Sequence, residues 1–235
     1  MPLADALDAN LRLAERIRTA RGTDLGRRFA AVQEWQHRRL QATYADLRAL
    51  PRFQPACDFF LEELYGGKDF MPRNRELAGA LPIMRRTMPA RLLRTVAEAL
   101  EVQALSIEFD LALAAALPGA VVNEANYAAA WRAMDREADR HRQLEMIVDV
   151  GHALDAVVHK NWVYHLLRLL RAPAHAAGFG ELQHFLESGF AAFRKLEGAG
   201  DFLAVIFERE TTIRQRIERR DPKPFNPTWP AMAEE

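Results

Sequence analysis

The chain has almost no cysteine: Cys57 is the only one among its 235 residues. A single thiol cannot form an internal disulfide, so the small secreted scaffolds that depend on disulfides are excluded. The lone cysteine fits a protein of a reducing compartment.

Long apolar runs are also missing. The longest uncharged stretch, residues 111–123, is shorter than the ~20 residues that a membrane-spanning helix needs, and Pro118 and Gly119 interrupt it. Close to the start, Asp5 and Asp8 stand where a secretory signal peptide would carry basic residues. We therefore expect a cytoplasmic protein with no membrane partner.

Neither sign of charge is in excess, since Lys and Arg together number 32 and so do Asp and Glu. A chain with zero net charge lacks the long-range field that attracts nucleic acids, so we expect no nucleic-acid partner. The sequence also contains no Gly-x-Ser-x-Gly string and no Gly-rich phosphate loop. Their absence argues against an α/β-hydrolase nucleophile and against nucleotide binding.

Ala and Leu are abundant, with 40 and 29 residues. Both favour helices, and apolar residues recur every three or four positions along nearly the whole chain. The pattern predicts an all-α fold, with a single multi-helix, bundle-like domain over residues 1–220 and a Pro-rich C-terminal tail over residues 221–235. The tail carries Phe225 and Trp229 among its prolines, so it could bind a partner or fold back over the body's own apolar surface.

Local signals predict where the helices begin and end. Thr23 or Asp24 is expected to cap the second helix, and Asn123 a later one. The longest predicted helix follows Asn123 and covers residues 124–159. The next helix, over residues 162–170, is expected to end before Pro173. The predicted helices cover residues 3–20, 24–50, 56–65, 90–117, 124–159, 162–170, 181–196 and 201–219, with a further helix opened by Pro72.

Residues 59–65 read Phe-Phe-Leu-Glu-Glu-Leu-Tyr. This string resembles the FFLEELY motif proteins, an uncharacterised proteobacterial family, and the likeness extends to residues 66–70, 108–113 and most of 142–210. The resemblance implies a bacterial, helical and soluble protein, and it supplies no substrate, cofactor or catalytic residue. Two positions depart from the family's pattern, since Gly67 replaces a usual proline and Asn74 a usual acid.

Within that string Glu62 and Glu63 lie among large apolar side chains, where an unpaired carboxylate is costly. We expect at least one of them to meet a cation or to face water. The nearest cations in sequence are Lys68, Arg73 and Arg75. The segment is then either a packing motif with a structural ion pair or, together with Tyr65, part of a buried polar binding site.

Two further carboxylates interrupt an apolar helix. Between residues 104 and 117 only Ser106, Glu108 and Asp110 are polar, which indicates a central helix. Buried acids are paired with Arg, share a proton or bind a metal. Because Arg is plentiful, Arg pairing is the expected arrangement for Glu108 and Asp110.

The predicted long helix carries a stripe of titratable residues. His141, Glu145, His152 and His159 fall on one side of it. This side is either a solvated face or the wall of a pocket, and in the second case Glu108 and Asp110 would be its partners.

Two Glu-x-x-His strings, residues 34–37 and 181–184, have the ligand spacing of carboxylate-bridged di-iron bundles. On a helical wheel Glu34 and His184 point away from the apolar faces of their helices. Ligands of a core site must point inward, so we expect no di-metal site there.

These patterns leave more than one function open. The preferred one is a non-enzymatic regulator or adaptor, with a protein partner or a second copy of the chain. The alternatives are a helical-bundle, metal-dependent, oxidase-like enzyme and a small-molecule-binding protein. No cofactor, metal or catalytic residue is assigned. The candidate binding residues are Glu62, Glu63, Tyr65, Glu108, Asp110, His141, Glu145 and His152.

Overall fold

The computed structural model of the protein describes residues 1–64 and 69–230. In these residues it has eleven α-helices and no strand, so the predicted all-α, multi-helix fold is confirmed. None of these helices is long and apolar enough to span a bilayer. The helices are α1 (Leu3–Ala20), α2 (Asp24–Thr43), α3 (Ala45–Arg48), α4 (Gln54–Phe59), α5 (Met71–Thr87), α6 (Ala90–Ala116), α7 (Glu124–Ala133), α8 (Glu137–Val158), α9 (Asn161–Ala176), α10 (Gly180–Lys195) and α11 (Gly200–Glu218); a π-helical turn (Phe60–Leu64) continues α4.

The predicted caps are present at two helix starts. The hydroxyl of Thr23 accepts a hydrogen bond from the backbone N–H of Gly26 at 3.2 Å, in the first turn of α2. At the start of α7, Asn123 and Asn126 each accept a bond from the other's backbone N–H, at 3.0 and 2.9 Å. These bonds satisfy N–H groups that a helix leaves without partners in its first turn.

The predicted helix over residues 124–159 is wrong, because the chain breaks it into α7 and α8. Asp135, between the two, has a φ of 48°, a left-handed conformation that Asp adopts more readily than most residues. The guanidinium of the next residue, Arg136, then lies 4.7 Å from the centroid of the Phe109 ring on α6. Apolar spacing continues across this break, so periodicity does not reveal it.

Pro173, which was expected to end a helix, lies inside α9, and Pro82 likewise lies inside α5. Each removes one backbone N–H donor from its helix. Both prolines are on the exposed side, where water can bond the carbonyl that loses its partner.

The expectation that α6 is a central helix is confirmed, since it packs against α1, α2, α7 and α8. Three buried apolar clusters surround it or lie beside it. One joins α2, α6, α7 and α11; a second joins α4, α8, α10 and α11; and a third joins α1, α5 and α6. The polar residues of α6 therefore include groups in the interior of the molecule.

Residues 221–230 fold back onto the helices. Of the two expectations for the tail, binding a partner or folding back, the described part shows the second. The Phe225 ring is 8% exposed and meets the rings of Trp35 and Tyr127 edge-on, at centroid distances of 4.8 and 5.6 Å. The Trp229 ring lies 4.9 Å from the guanidinium carbon of Arg209. This segment covers apolar surface of its own chain, and the division at residue 220 stays a prediction.

Candidate functional site

The first candidate residues lie on the π-helical turn Phe60–Leu64. Glu62 is exposed and Glu63 is half-buried, whereas Tyr65 lies outside the described residues. The expectation that one of the two carboxylates faces water is therefore confirmed for Glu62. Single π-helical turns are frequent at functional sites, which keeps this segment among the candidates.

Arg73 supplies a cation beside this turn. Its guanidinium carbon lies 5.1 Å from the centroid of the Phe70 ring and 4.1 Å from that of the Phe185 ring. Burial lowers the pKa of Arg73 to about 10, and the negative charge of Glu63 opposes that change. Arg73, one of the three expected cations, thus stabilises the charge of Glu63 while it packs between two aromatic rings.

The two carboxylates of α6 have different surroundings. Glu108 is exposed, which corrects the expectation that it is buried and paired with Arg. Asp110 is 5% exposed, as expected, but its hydrogen-bond donors are the side-chain amides of Gln36 and Gln33 on α2. Glutamines of α2 thus supply hydrogen bonds to Asp110, and the expected arginine acts on it through the positive charge of Arg140.

The titration of Asp110 reflects this environment. Burial raises the pKa of the Asp110 carboxyl to about 6, since the apolar interior disfavours its charged form. The positive charge of Arg140 and the two amide donors act in the opposite direction and do not cancel the effect of burial. Asp110 is thus a buried acid that titrates near neutral pH.

A second buried pair extends this polar region to α11. Arg39 and the hydroxyl of Tyr44 both donate to the same carboxylate oxygen, Oε1 of Glu210. Burial disfavours the cation of Arg39, but the charge and hydrogen bond of Glu210, together with the nearby hydroxyls of Tyr127 and Tyr44, outweigh burial and raise the pKa of Arg39 above its usual range. Burial likewise raises the pKa of Tyr44. The pair is a neutral unit held between α2 and α11.

Arg209 forms a third buried group that the sequence analysis missed. It is 2% exposed, donates to both carboxylate oxygens of Asp46 at 2.7 and 2.6 Å, and also donates to the carbonyl of Thr43. Its hydrogen bond and charge lower the pKa of Asp46. The four bonds from Arg39 and Arg209 tie α11 to the C-terminal end of α2 and to α3. Arg209 also contacts the described tail through the Trp229 ring.

The titratable stripe on α8 faces solvent. His141 and Glu145 lie 3.4 Å apart and their side chains are 43% and 56% exposed. His152 and His159 are also exposed, and His159 lies 3.3 Å from Asp155. The solvated face, one of the two alternatives, is therefore the one observed, and the predicted pocket wall is not.

The candidate ligands are not gathered for a metal. Within residues 1–64 and 69–230, no three His, Cys, Asp or Glu side chains form a group that could hold an ion. In the two Glu-x-x-His strings, Glu34, Glu181 and His184 are exposed. This agrees with the helical wheel, which turned these ligands away from the core.

The outer face of α9 was not predicted from the sequence. Residues spaced three and four apart place large apolar side chains on its solvent side, and no residue of the helix is buried. The run of apolar residues in this helix was a sequence signal for such a face, because it covers more of the helix circumference than the side that packs against the protein. The exposed apolar side chains are Trp162, Leu166, Leu169 and Leu170, with exposed fractions of 51%, 41%, 73% and 43%. We call these four residues the α9 face.

Fold and site together define an all-α protein with buried polar groups between its helices and with four large exposed apolar side chains on α9. The chain belongs to the family described as Domain of unknown function (DUF8198), whose sequence profile matches residues 15–224. A search of the curated proteins and a search of the solved structures found no match.

Proposed function

We propose that the protein is a non-enzymatic regulator or adaptor that binds another protein through the α9 face. The observation that carries the proposal is the exposure of four large apolar side chains on one side of one helix. The largest exposed apolar patch of a protein is often an interaction site. Trp162 adds a residue type that is enriched where binding energy concentrates.

The polar interior supports a structural role for the buried charged groups. Asp110 is held by glutamines, Glu210 by Arg39 and Tyr44, and Arg209 by Asp46. Hydrogen-bonded polar groups between helices help to fix the packing of a core. A catalytic acid or base must instead reach a substrate proton, which these buried, partnered groups do not do.

The setting we propose is the bacterial cytoplasm, and the protein is proposed to belong with the FFLEELY motif proteins. The string at residues 59–65 supports the second statement. The single cysteine, which is buried, is compatible with a reducing compartment.

Photo-cross-linking in the native cells tests the proposed function. A photoreactive amino acid replaces Leu169, the most exposed residue of the α9 face, and in a control chain it replaces Gln41, an exposed residue of α2. We expect a discrete adduct with one protein from position 169 and none from position 41. A chain that also carries Leu166→Glu should lose the adduct. Absence of any adduct from positions 162, 166 and 169 would contradict the proposal.

A further inference from the structure

A shallow groove lies beside the α9 face and extends it. Its volume is about 90 Å³, and its walls come from the start of α6, the end of α8 and the Trp162 ring. On the α8 side it is lined by Ala153, Ala156 and Val157. A volume of this size accommodates about one apolar side chain, as an anchor residue of a docked helix requires.

Two segments that border this groove are basic and contain no acid. Between Glu76 and Glu98, and again between Asp155 and Glu181, the sequence has no Asp or Glu. Within the described residues, every Arg and Lys of these two segments except Arg171 lacks an ion pair. The cations without a carboxylate partner are Arg85, Arg86, Arg91, Arg94, Lys160 and Arg168, all exposed.

These two segments are the longest runs of the sequence without Asp or Glu. Many arginines elsewhere meet carboxylates, as Arg18, Arg48 and Arg142 do with Glu15, Asp58 and Glu101. Because the whole chain has zero net charge, the absence of acids from these two runs segregates positive charge along the sequence. Arg91 and Lys160 line the groove itself, so these charges border the apolar surface.

We propose that the partner docks as an acidic amphipathic helix, an inference that rests on the proposed function. Its apolar side packs along the groove and the α9 face, and its carboxylates meet Arg91, Arg94, Lys160 and Arg168. A second copy of the chain fits poorly, because a two-fold contact would bring both sets of cations together. The concave shape favours a helix over a flat anionic membrane.

A displayed peptide library tests this proposal with the full chain. The library fixes a Leu stripe at helical spacing and varies the flanking positions among Glu, Gln and Lys. We expect Glu to be enriched over Lys by about tenfold or more at low salt, and the preference to shrink at high salt, as surface charge pairs require. The variant Arg91→Glu/Arg94→Glu should reverse the preference, whereas Arg12→Glu/Arg16→Glu, on exposed α1 positions, should leave it unchanged.

Other outcomes overturn the proposal. They are enrichment of Gln or Lys, no enrichment, tighter binding to phosphatidylglycerol vesicles or to a single-stranded oligonucleotide than to the selected peptides, or self-association that depends on Trp162. The cross-linking experiment separates this proposal from the proposed function. If an adduct forms at Leu169 and the cross-linked segment of the partner lacks acids, the acidic helix is wrong and the adaptor role stands.

Discussion

Asp110 makes the stability of the fold depend on pH in a way that one substitution isolates. Burial raises the pKa of its carboxyl from 3.8 to about 6. The native state therefore holds the proton more tightly than the unfolded chain does. Ionisation above the native pKa lowers the free energy of unfolding, and protonation on acidification restores it.

The size of the effect follows from the shift. One pKa unit corresponds to about 1.4 kcal/mol, so the ionised carboxyl costs about 3 kcal/mol near pH ~7.5. By pH ~5 the native carboxyl is mostly protonated, and about 1.4 kcal/mol of this cost is recovered. Asp110→Asn carries no charge at either pH and keeps an oxygen that can accept from a glutamine amide.

Denaturant unfolding of wild type and Asp110→Asn at both pH values measures this. When the pH is lowered from ~7.5 to ~5, the free energy of unfolding of the wild type should rise by about 1.4 kcal/mol relative to that of the variant. Groups that are common to the two proteins cancel in this comparison. The exposed carboxylate Asp149 is the control, and Asp149→Asn should show no comparable change. A pH-independent difference for Asp110→Asn would refute the reasoning.

Three further predictions concern packing and reactivity. Phe225→Ala should lower the free energy of unfolding by about 3 kcal/mol in a denaturant titration, because the ring fills a buried aromatic cluster. Gly151→Ala should cost about 1–3 kcal/mol, since its Cβ would come 2.4 Å from a buried leucine methyl, whereas Gly119→Ala, with nothing within 4 Å, should not. Burial raises the pKa of Cys57 to about 12, so a thiol reagent should label it in the unfolded chain and not in the native protein.

The helices themselves were largely predictable, because their signals are local. The first helix was expected over residues 3–20 and is observed as Leu3–Ala20. Thr23 and Asn123 cap helices since short polar side chains reach the N–H groups three residues ahead. The second helix, expected to continue to residue 50, instead ends at Thr43, where Tyr44 turns its hydroxyl toward Glu210.

The candidate site was only partly predictable, because its contacts join distant segments. The burial of Asp110 followed from the apolar sequence around it, but its partners Gln33 and Gln36 lie more than seventy residues earlier. Nothing in the sequence indicates that α2 faces α6 at this register. In the same way, the basic segments meet only because the fold places Trp162, at the start of α9, beside the first turns of α6.

Hydrogen exchange of the chain, free and in complex with the protein cross-linked at Leu169, tests the central claim most directly. The account predicts slower amide exchange in α9 and in the first turns of α6, where the partner covers the α9 face and the groove. Exchange in α2 should stay unchanged, because that helix lies outside the proposed interface. Equal exchange of α9 in the free and bound chain, with protection elsewhere, would contradict the claim.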